Sequence, residues 1–369
     1  MVYDVAIIGA GCSGLSLAYQ IFLEQKLNLK VIIIDKKREF KKDRTWSFWK
    51  VDEHEFDDCL EKKWNSVEIK YKNKIKVFNS DQFPYQSINS LKFYNKIINQ
   101  ISDSHKISLD TKVKGIKYKD NIYEIQTNSE VIHSNKIFDS RIPEMELGKL
   151  YQHFYGIEIE TNDNQFDNEN VELMNFDCEQ KNGVHFFYTL PFDSKRALIE
   201  TTWLSILTKL EKVEYEIELK RYIESKFPNI KEYKVLREEI GAIPMFRRDL
   251  SNQKNYFEIG LRGNVNRMST GYTFTYVQKQ SKIITKKLLL EMSNKDIYPI
   301  DKKYELLDSL FIKVLKQNAD LMPGIFYKIF DQDNHESVIK FLSSCSNFKD
   351  DLNIIKRMPK GIFLRNLLN

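Results

Sequence analysis

The stretch "YDVAIIGAGCSGLSLAYQIFLEQ" (residues 3–25) decides the fold. "VAIIG" is a short apolar run, as expected of a strand buried on both faces of a parallel sheet. Gly9, Gly11 and Gly14 follow in the spacing G-x-G-x-x-G. Leu15, Leu17, Ala18, Ile21 and Phe22 then recur at helical spacing. A second apolar run, "KVIIID" (30–35), ends in Asp35, 21 residues beyond Gly14. Each part has a task at a dinucleotide. Gly9 permits the tight turn, Gly11 lets the backbone approach a pyrophosphate, and Gly14 lets helix and strand pack closely. The helix N-terminus offers free N–H groups to the phosphates. Asp35 is placed to accept hydrogen bonds from a ribose diol. Three glycines alone are a weak signal; strand, glycines, helix, strand and acid in one unit of about 30 residues are a specific one. FAD and NAD both satisfy it.

The rest of the composition bounds the answer. A chain of 369 residues is about right for two domains. With 42% hydrophobic and 30% charged residues, 8 prolines and 13 glycines, it reads as globular. Aromatics reach 13%, more than an ordinary core needs, which hints at an apolar ligand. The net charge of +5 is spread along the chain without a dense basic block, which argues against nucleic acid. A mild positive excess suits contact with an anionic membrane surface, or simply a lysine-rich composition. Cysteines 12, 59, 178 and 345 form no C-x-x-C pair, so neither zinc nor a disulfide framework is indicated. The N-terminus does not read as a signal peptide, and no run approaches the roughly 18 apolar residues of a spanning helix. The expectation is a cytoplasmic protein whose membrane contact, if any, is peripheral.

Downstream, "GVHFFYTL" (183–190), a turn-like "PFDSK" (191–195) and "ALIETTWLS" (197–205) read as a hairpin. Glu200 shares a face with Leu198, Thr202 and Leu204. A carboxylate there is either solvated or placed for chemistry. Glu238 and Glu239 precede "IGAIPM"; adjacent strand residues face opposite ways, so at most one points inward. In "KKDRTWSFWK" (41–50), Arg44 either neutralises a phosphate or holds a loop through a carboxylate. Trp46, Phe48 and Trp49 either line an apolar tunnel or seal a domain interface. Asp139 and Arg141 read as an internal pair, and His153 and His185 as packing residues. In "GLRGNVNRMSTGY" (260–272), Gly260, Gly263 and Gly271 permit close backbone passage, and Thr270 lies beside the last of them.

The expected fold is α/β: a Rossmann-like parallel sheet with helices, an antiparallel-sheet substrate domain and a helical C-terminal region. Residues 1–70, 105–140 and 256–300 are assigned to the dinucleotide domain, 71–104 and 141–255 to the substrate domain, and 301–369 to the helical region. "SINSLKFYNKIINQ" (87–100) and "EKVEYEIELKRYIESKF" (211–227) are expected to be helical. The last segment, with Met358, Ile362, Phe363, Leu364 and Leu367, is either an interfacial membrane helix or an ordinary packed one.

"DRTWSFW" (43–49) resembles the "DRTW-x-FW" signature of the lycopene cyclase family, flavoproteins of carotenoid biosynthesis. Further matches follow in order: "VIHSNKIFDSR" (131–141), "QHFYGIEI" (152–159), "LMNF" (173–176), "FFYTLPF" with "ALIETTWLS", "REEIGAIPM" (237–245), "STGYTF" (269–274) and "MPKGIFLRNLL" (358–368). The chain departs from the pattern at Asn264, where the family has a second glycine, and at Thr201, often acidic in the family. The resemblance implies a lycopene β-cyclase that closes acyclic ends of lycopene into β-ionone rings without net redox change. It implies FAD in its reduced form, with NAD(P)H as electron donor. It implies Glu200 as the acid-base residue and Glu239 as a second one. The cofactor would lie against Gly9, Gly11, Gly14, Asp35, Arg44, Gly260, Gly263, Thr270 and Gly271. The protein would work at the inner face of a membrane, where its substrate is stored. The alternatives are a related FAD-dependent oxidoreductase, such as a prenyl reductase or monooxygenase, and a non-catalytic prenyl-lipid binding protein. Mono- or bicyclic product, β or ε ring, electron donor, oligomeric state and depth of membrane contact stay open.

Overall fold

The computed structural model describes residues 1–330 and 334–368. The first apolar run forms strand Val2–Ile8 in the middle of a seven-stranded sheet. Val31–Ile34 and Val131–Asp139 flank it in parallel, with Lys106–Ser108 outside the former. Tyr256–Glu258 adds in parallel to the C-terminal end of Val131–Asp139. An antiparallel hairpin, Val113–Lys119 and Ile122–Thr127, completes the sheet. The second half of the first strand, Val5–Ile8, is wholly apolar and buried because both faces are covered there. Val5 and Ile7 pack with Leu15 and Leu17 of helix Cys12–Leu23, while Ala6 and Ile8 pack with Tyr123 and Ile125.

The second large sheet also has seven strands, in the order Tyr233–Pro244, Lys149–Thr161, Arg196–Leu207, Val184–Pro191, Asn170–Asn175, Ser66–Tyr71 and Lys74–Asn79. All neighbours are antiparallel except Asn170–Asn175 with Ser66–Tyr71. Helix Lys212–Lys226 covers one face, burying Tyr215, Leu219 and Ile223 against Tyr155, Ile157 and Ile199. The opposite face looks toward helices of the C-terminal region: Lys302–Gln317, Met322–Phe330, His335–Leu342, Phe348–Arg357 and Lys360–Leu368. A small sheet of Thr45–Trp49, Tyr85–Asn89 and Leu60–Trp64 lies beside both. No helix among the described residues is long and apolar enough to cross a membrane.

The expected hairpin forms, with Tyr188 opposite Glu200. The helix expected from residue 87 begins at Ser90 instead, because Asn89 caps it by accepting from the Lys92 N–H at 3.0 Å. Ile88 is therefore buried from a strand. The domain crossings also differ from the expected bounds. Strand Ser66–Tyr71 belongs to the antiparallel sheet, whereas helix Ser90–Ile101 packs Phe93, Ile97 and Ile101 into the core of the parallel sheet. A parallel sheet needs both faces covered, and this amphipathic helix supplies part of that cover.

Candidate active site

The glycine loop is built as its residue types require. Gly9 has φ of +103°, and a methyl there would lie 2.4 Å from Ser140 Oγ. A methyl at Gly14 would lie 1.8 Å from the Gly9 carbonyl oxygen, so only glycine lets this helix sit on its strand. A methyl at Gly11 would meet nothing within 4 Å, and the helix that starts there has no side-chain cap. Open space above free N–H groups fits a pyrophosphate. Asp35 pins the loop, accepting from the Ala10 N–H at 2.6 Å and the Lys37 N–H at 2.8 Å. Each of its oxygens retains acceptor capacity for a ribose hydroxyl.

The second glycine-rich segment backs the first. Gly260 has φ of +61°, and a methyl there would lie 2.0 Å from Ser13 Oγ at the start of helix Cys12–Leu23. A methyl at Gly263 would lie 2.2 Å from the Glu258 carbonyl oxygen. Asn264 also has φ of +61°, a left-handed conformation that asparagine tolerates. Its amide accepts from Arg248 N–H at 3.0 Å and donates to Arg248 O at 2.9 Å, which compensates for the missing glycine. Thr270 and Gly271 border a cavity. Arg44 donates to the Ile240 carbonyl at 3.3 Å, a backbone partner in place of the carboxylate that was one of its two expected partners. Asp139, fully buried, binds Arg141 at 2.6 Å, Tyr256 at 2.6 Å and Arg262 at 3.3 Å. Burial alone would raise its pKa; these partners outweigh that and hold it below the ordinary range.

The cavity, of about 660 Å³, lies between the antiparallel sheet, the small sheet, the loop 269–273 and the C-terminal helices. Its floor follows from strand alternation. Leu198, Glu200, Thr202 and Leu204 all face it, together with Phe186 and Tyr188 of the neighbouring strand. Phe311, Phe326 and Ile329 roof it. Polar groups are few in this apolar space, and two carboxyls stand out. Gly156 is paired with Glu200 on one side and with Glu239 on the other. The two glutamates therefore share a face, one strand apart.

Their surroundings differ. Glu200 is 8% exposed and takes one hydrogen bond, from Thr202 Oγ1 at 2.8 Å. Burial, and then repulsion from Glu239, push its pKa up to about 8. Glu239 is ion-paired with Arg237 at 2.5 Å. Arg237 also binds Glu158 at 3.2 Å and Thr45 Oγ1 at 2.6 Å. Glu238 points away and pairs with Lys212 at 2.6 Å.

The aromatic residues divide. Trp46 borders the cavity, whereas Phe48 stacks on Phe274 at 4.9 Å and Trp49 packs on Tyr85 at 4.9 Å. His153 and His185 have hydrogen-bond partners on both ring nitrogens, among them Ser205 and Thr201. Burial lowers both to about 4, so they remain neutral near pH 7. Sequence reasoning passed over Arg237, Arg267, Asp308 and Gly156. Arg237 had a signal, since it stands two residues before Glu239 and so shares its face. Arg267 and Asp308, paired across 41 residues, had none.

Residues 4–367 match the family described as lycopene cyclase protein. A chloroplastic neoxanthin synthase from Solanum lycopersicum is 26% identical over 293 residues, which cover 73% of this chain and 57% of that protein. A chloroplastic/chromoplastic lycopene beta cyclase from Capsicum annuum is 26% identical over 227 residues, covering 55% of this chain and 44% of its own. The chain thus spans about half the length of the curated relatives it matches. In three dimensions it is similar to a geranylgeranyl bacteriochlorophyll reductase-like protein from Thermoplasma acidophilum, with a TM-score of 0.66, 11% identity, and coverage of 99% of this chain and 98% of that one. That likeness is one of fold. The match of nearly the whole chain identifies this protein as a member of the lycopene cyclase family.

Proposed function

We propose that the chain is a FAD-dependent lycopene β-cyclase. The observation that carries this reading is Glu200, held protonated by burial inside an apolar cavity with a second carboxyl on the same face. Ring closure is an acid-base reaction. The Glu200 proton adds to the terminal trisubstituted alkene and leaves a tertiary cation. The neighbouring double bond attacks that cation and closes a six-membered ring. A proton leaves the ring, and the Glu200 carboxylate accepts it, so the enzyme ends as it began. Such a cation survives only where water is excluded. Leu198, Phe186 and the aromatic roof provide that exclusion, and the rings of Trp46, Phe154 and Tyr188 offer π-density to positive charge. Glu239, anchored by Arg237, adds a carboxyl beside the reacting centre.

Gly9, Gly11, Gly14 and Asp35 would hold the adenosine and pyrophosphate portion of FAD. Arg44, Gly260, Gly263, Thr270 and Gly271 would approach the remainder. Reduced FAD, with NAD(P)H as its donor, supplies a fixed negative charge when bound. The substrate is a long hydrocarbon, and moving it into water costs about 0.8 kcal/mol per CH₂. Uptake straight from a bilayer avoids that cost. Leu364 and Leu367 border the cavity yet are 55% and 65% exposed, with Lys360 and Arg365 nearby in the sequence. This suits peripheral contact with the cytoplasmic membrane surface through the last helix.

The test is expression in lycopene-accumulating cells with the pigment read by chromatography, alongside Glu200→Gln. The natural chain should give β-ring products and the variant should leave lycopene unchanged. Unchanged lycopene with the natural chain overturns the reading. A product reduced by two hydrogens per NADPH consumed would mark an oxidoreductase instead.

A further inference from the structure

We propose that Gly156 is a positioning residue, whose missing side chain lets Glu200 lean across the intervening strand toward Glu239. The inference rests on the cyclase reading and adds to it how the two carboxyls are brought together.

The sheet poses a distance problem. Glu200 and Glu239 stand on strands that are not neighbours, so their backbones lie two strand spacings, about 10 Å, apart. Strand Lys149–Thr161 runs between them, and Gly156 is the residue in register with both. Any side chain at 156 on the cavity face would stand between the carboxyls.

The glycine is not explained by its backbone. Gly156 is absent from the positive-φ glycines, and it sits inside a 13-residue strand, where glycine is unfavourable. Its neighbours explain it. A methyl there would lie 3.2 Å from Leu198 Cδ1, 3.3 Å from Glu200 Cβ and 3.4 Å from Glu200 Cγ. The stem of Glu200 itself occupies the flank of the glycine. Gly241, also facing this strand, makes the contrast: there the ring of Phe154 fills the space, with Cζ 2.7 Å from an added methyl. One gap is packed by an aromatic ring, and the other is used by the carboxyl that the reaction needs. The result shows in the electrostatics, where Glu239 follows burial as the cause that raises Glu200. The other titratable or charged groups that line the cavity or touch the pair are Tyr85, Tyr188, Tyr272, Asp308, Lys360 and Arg237.

The experiment compares the natural chain with Gly156→Ala, Glu239→Gln and the double variant, each full-length. Two readouts are taken: ring-formation kinetics, and infrared titration of the protonated carboxyl band that Glu200→Gln abolishes. Gly156→Ala should lower kcat by about a hundredfold, as for a misplaced reacting group, with KM within about twofold. Its band should titrate at lower pH, because the repulsion from Glu239 weakens. Glu239→Gln should shift the band down by about one pH unit or more in the natural background, and much less beside Gly156→Ala. Unchanged kcat and band in Gly156→Ala would overturn the proposal, as would an equal Glu239→Gln shift in both backgrounds. If Gly156→Ala does not fold, Leu198→Ala combined with it removes the nearest atom and carries the same comparison. If the natural chain forms no ring, the cyclase reading fails, while the infrared comparison still decides the role of Gly156.

Discussion

Arg267 donates two hydrogen bonds to Asp308, at 2.9 and 2.8 Å, and neither side chain is open to solvent. The same guanidinium donates to the Phe341 carbonyl at 3.1 Å and to Ser344 Oγ at 2.5 Å. Ser269 donates to Asp308 at 2.6 Å. One charge pair thus ties the Ser-Thr-Gly-Tyr loop to two helices that roof the cavity.

Breaking this pair leaves a buried charge without its partner. Asp308→Asn should destabilise the fold by about 3–5 kcal/mol, read as a fall in the denaturant midpoint. Replacing both residues, as in Arg267→Met with Asp308→Leu, should cost less than the single change. An Asp308→Asn protein as stable as the natural one would remove this pair from any structural role.

The raised pKa of Glu200 also makes a stability prediction with a definite sign. Below the ordinary value of 4.5, folded and unfolded chains both carry the proton; between 4.5 and about 8 only the folded chain does. The folded state then binds more protons, so its stability falls as pH rises, by roughly 1.4 kcal/mol per unit. The total is on the order of 5 kcal/mol by pH 8, with no further loss above it. Glu200→Gln cannot titrate. Calorimetry between pH 5 and 8.5 should show the variant gaining on the natural chain up to about pH 8 and the difference levelling off above it. Parallel curves for the two proteins would place the Glu200 carboxyl in water.

The glycine loop separates fold from cofactor. Gly14→Ala forces a methyl against the Gly9 carbonyl oxygen and should destabilise by about 3 kcal/mol or more. Gly11→Ala meets only open space, so it should melt like the natural chain. It should nevertheless weaken FAD by about tenfold or more, equivalent to roughly 1.4 kcal/mol, in titrations followed by flavin fluorescence. Full flavin affinity in Gly11→Ala would take the pyrophosphate away from this loop.

The mouth of the cavity predicts membrane behaviour. Leu364→Glu with Leu367→Glu removes two exposed apolar side chains, each worth about 1.5–3 kcal/mol when buried. Co-sedimentation with vesicles of anionic phospholipid should fall by more than about tenfold. Ring formation on detergent-dispersed substrate should persist. Undiminished sedimentation would move the contact elsewhere.

Much of this was legible in the chain because it is encoded over short distances. The unit around Gly9, Gly11 and Gly14 lies within one strand–helix–strand, where apolar periodicity and glycine spacing act locally. The hairpin of Val184–Pro191 and Arg196–Leu207 is joined by a tight turn, so alternation alone set Glu200 on the face of Leu198, Thr202 and Leu204. The same rule allowed only one of Glu238 and Glu239 to point inward, and Glu239 lines the cavity.

What alternation cannot say is which faces meet. Strand Lys149–Thr161 enters between Arg196–Leu207 and Tyr233–Pro244, which come later in the chain, and only that insertion sets Gly156 between two glutamates. Helix Ser90–Ile101 carries an apolar stripe that any core would accept, and the uncovered face of the parallel sheet chose it. Arg267 finds Asp308 because helix Lys302–Gln317 folds back over the loop. A carboxyl's face is a property of its own strand. Its dryness, its neighbours and hence its proton depend on surfaces brought together from distant parts of the chain, and only packing of the whole decided those.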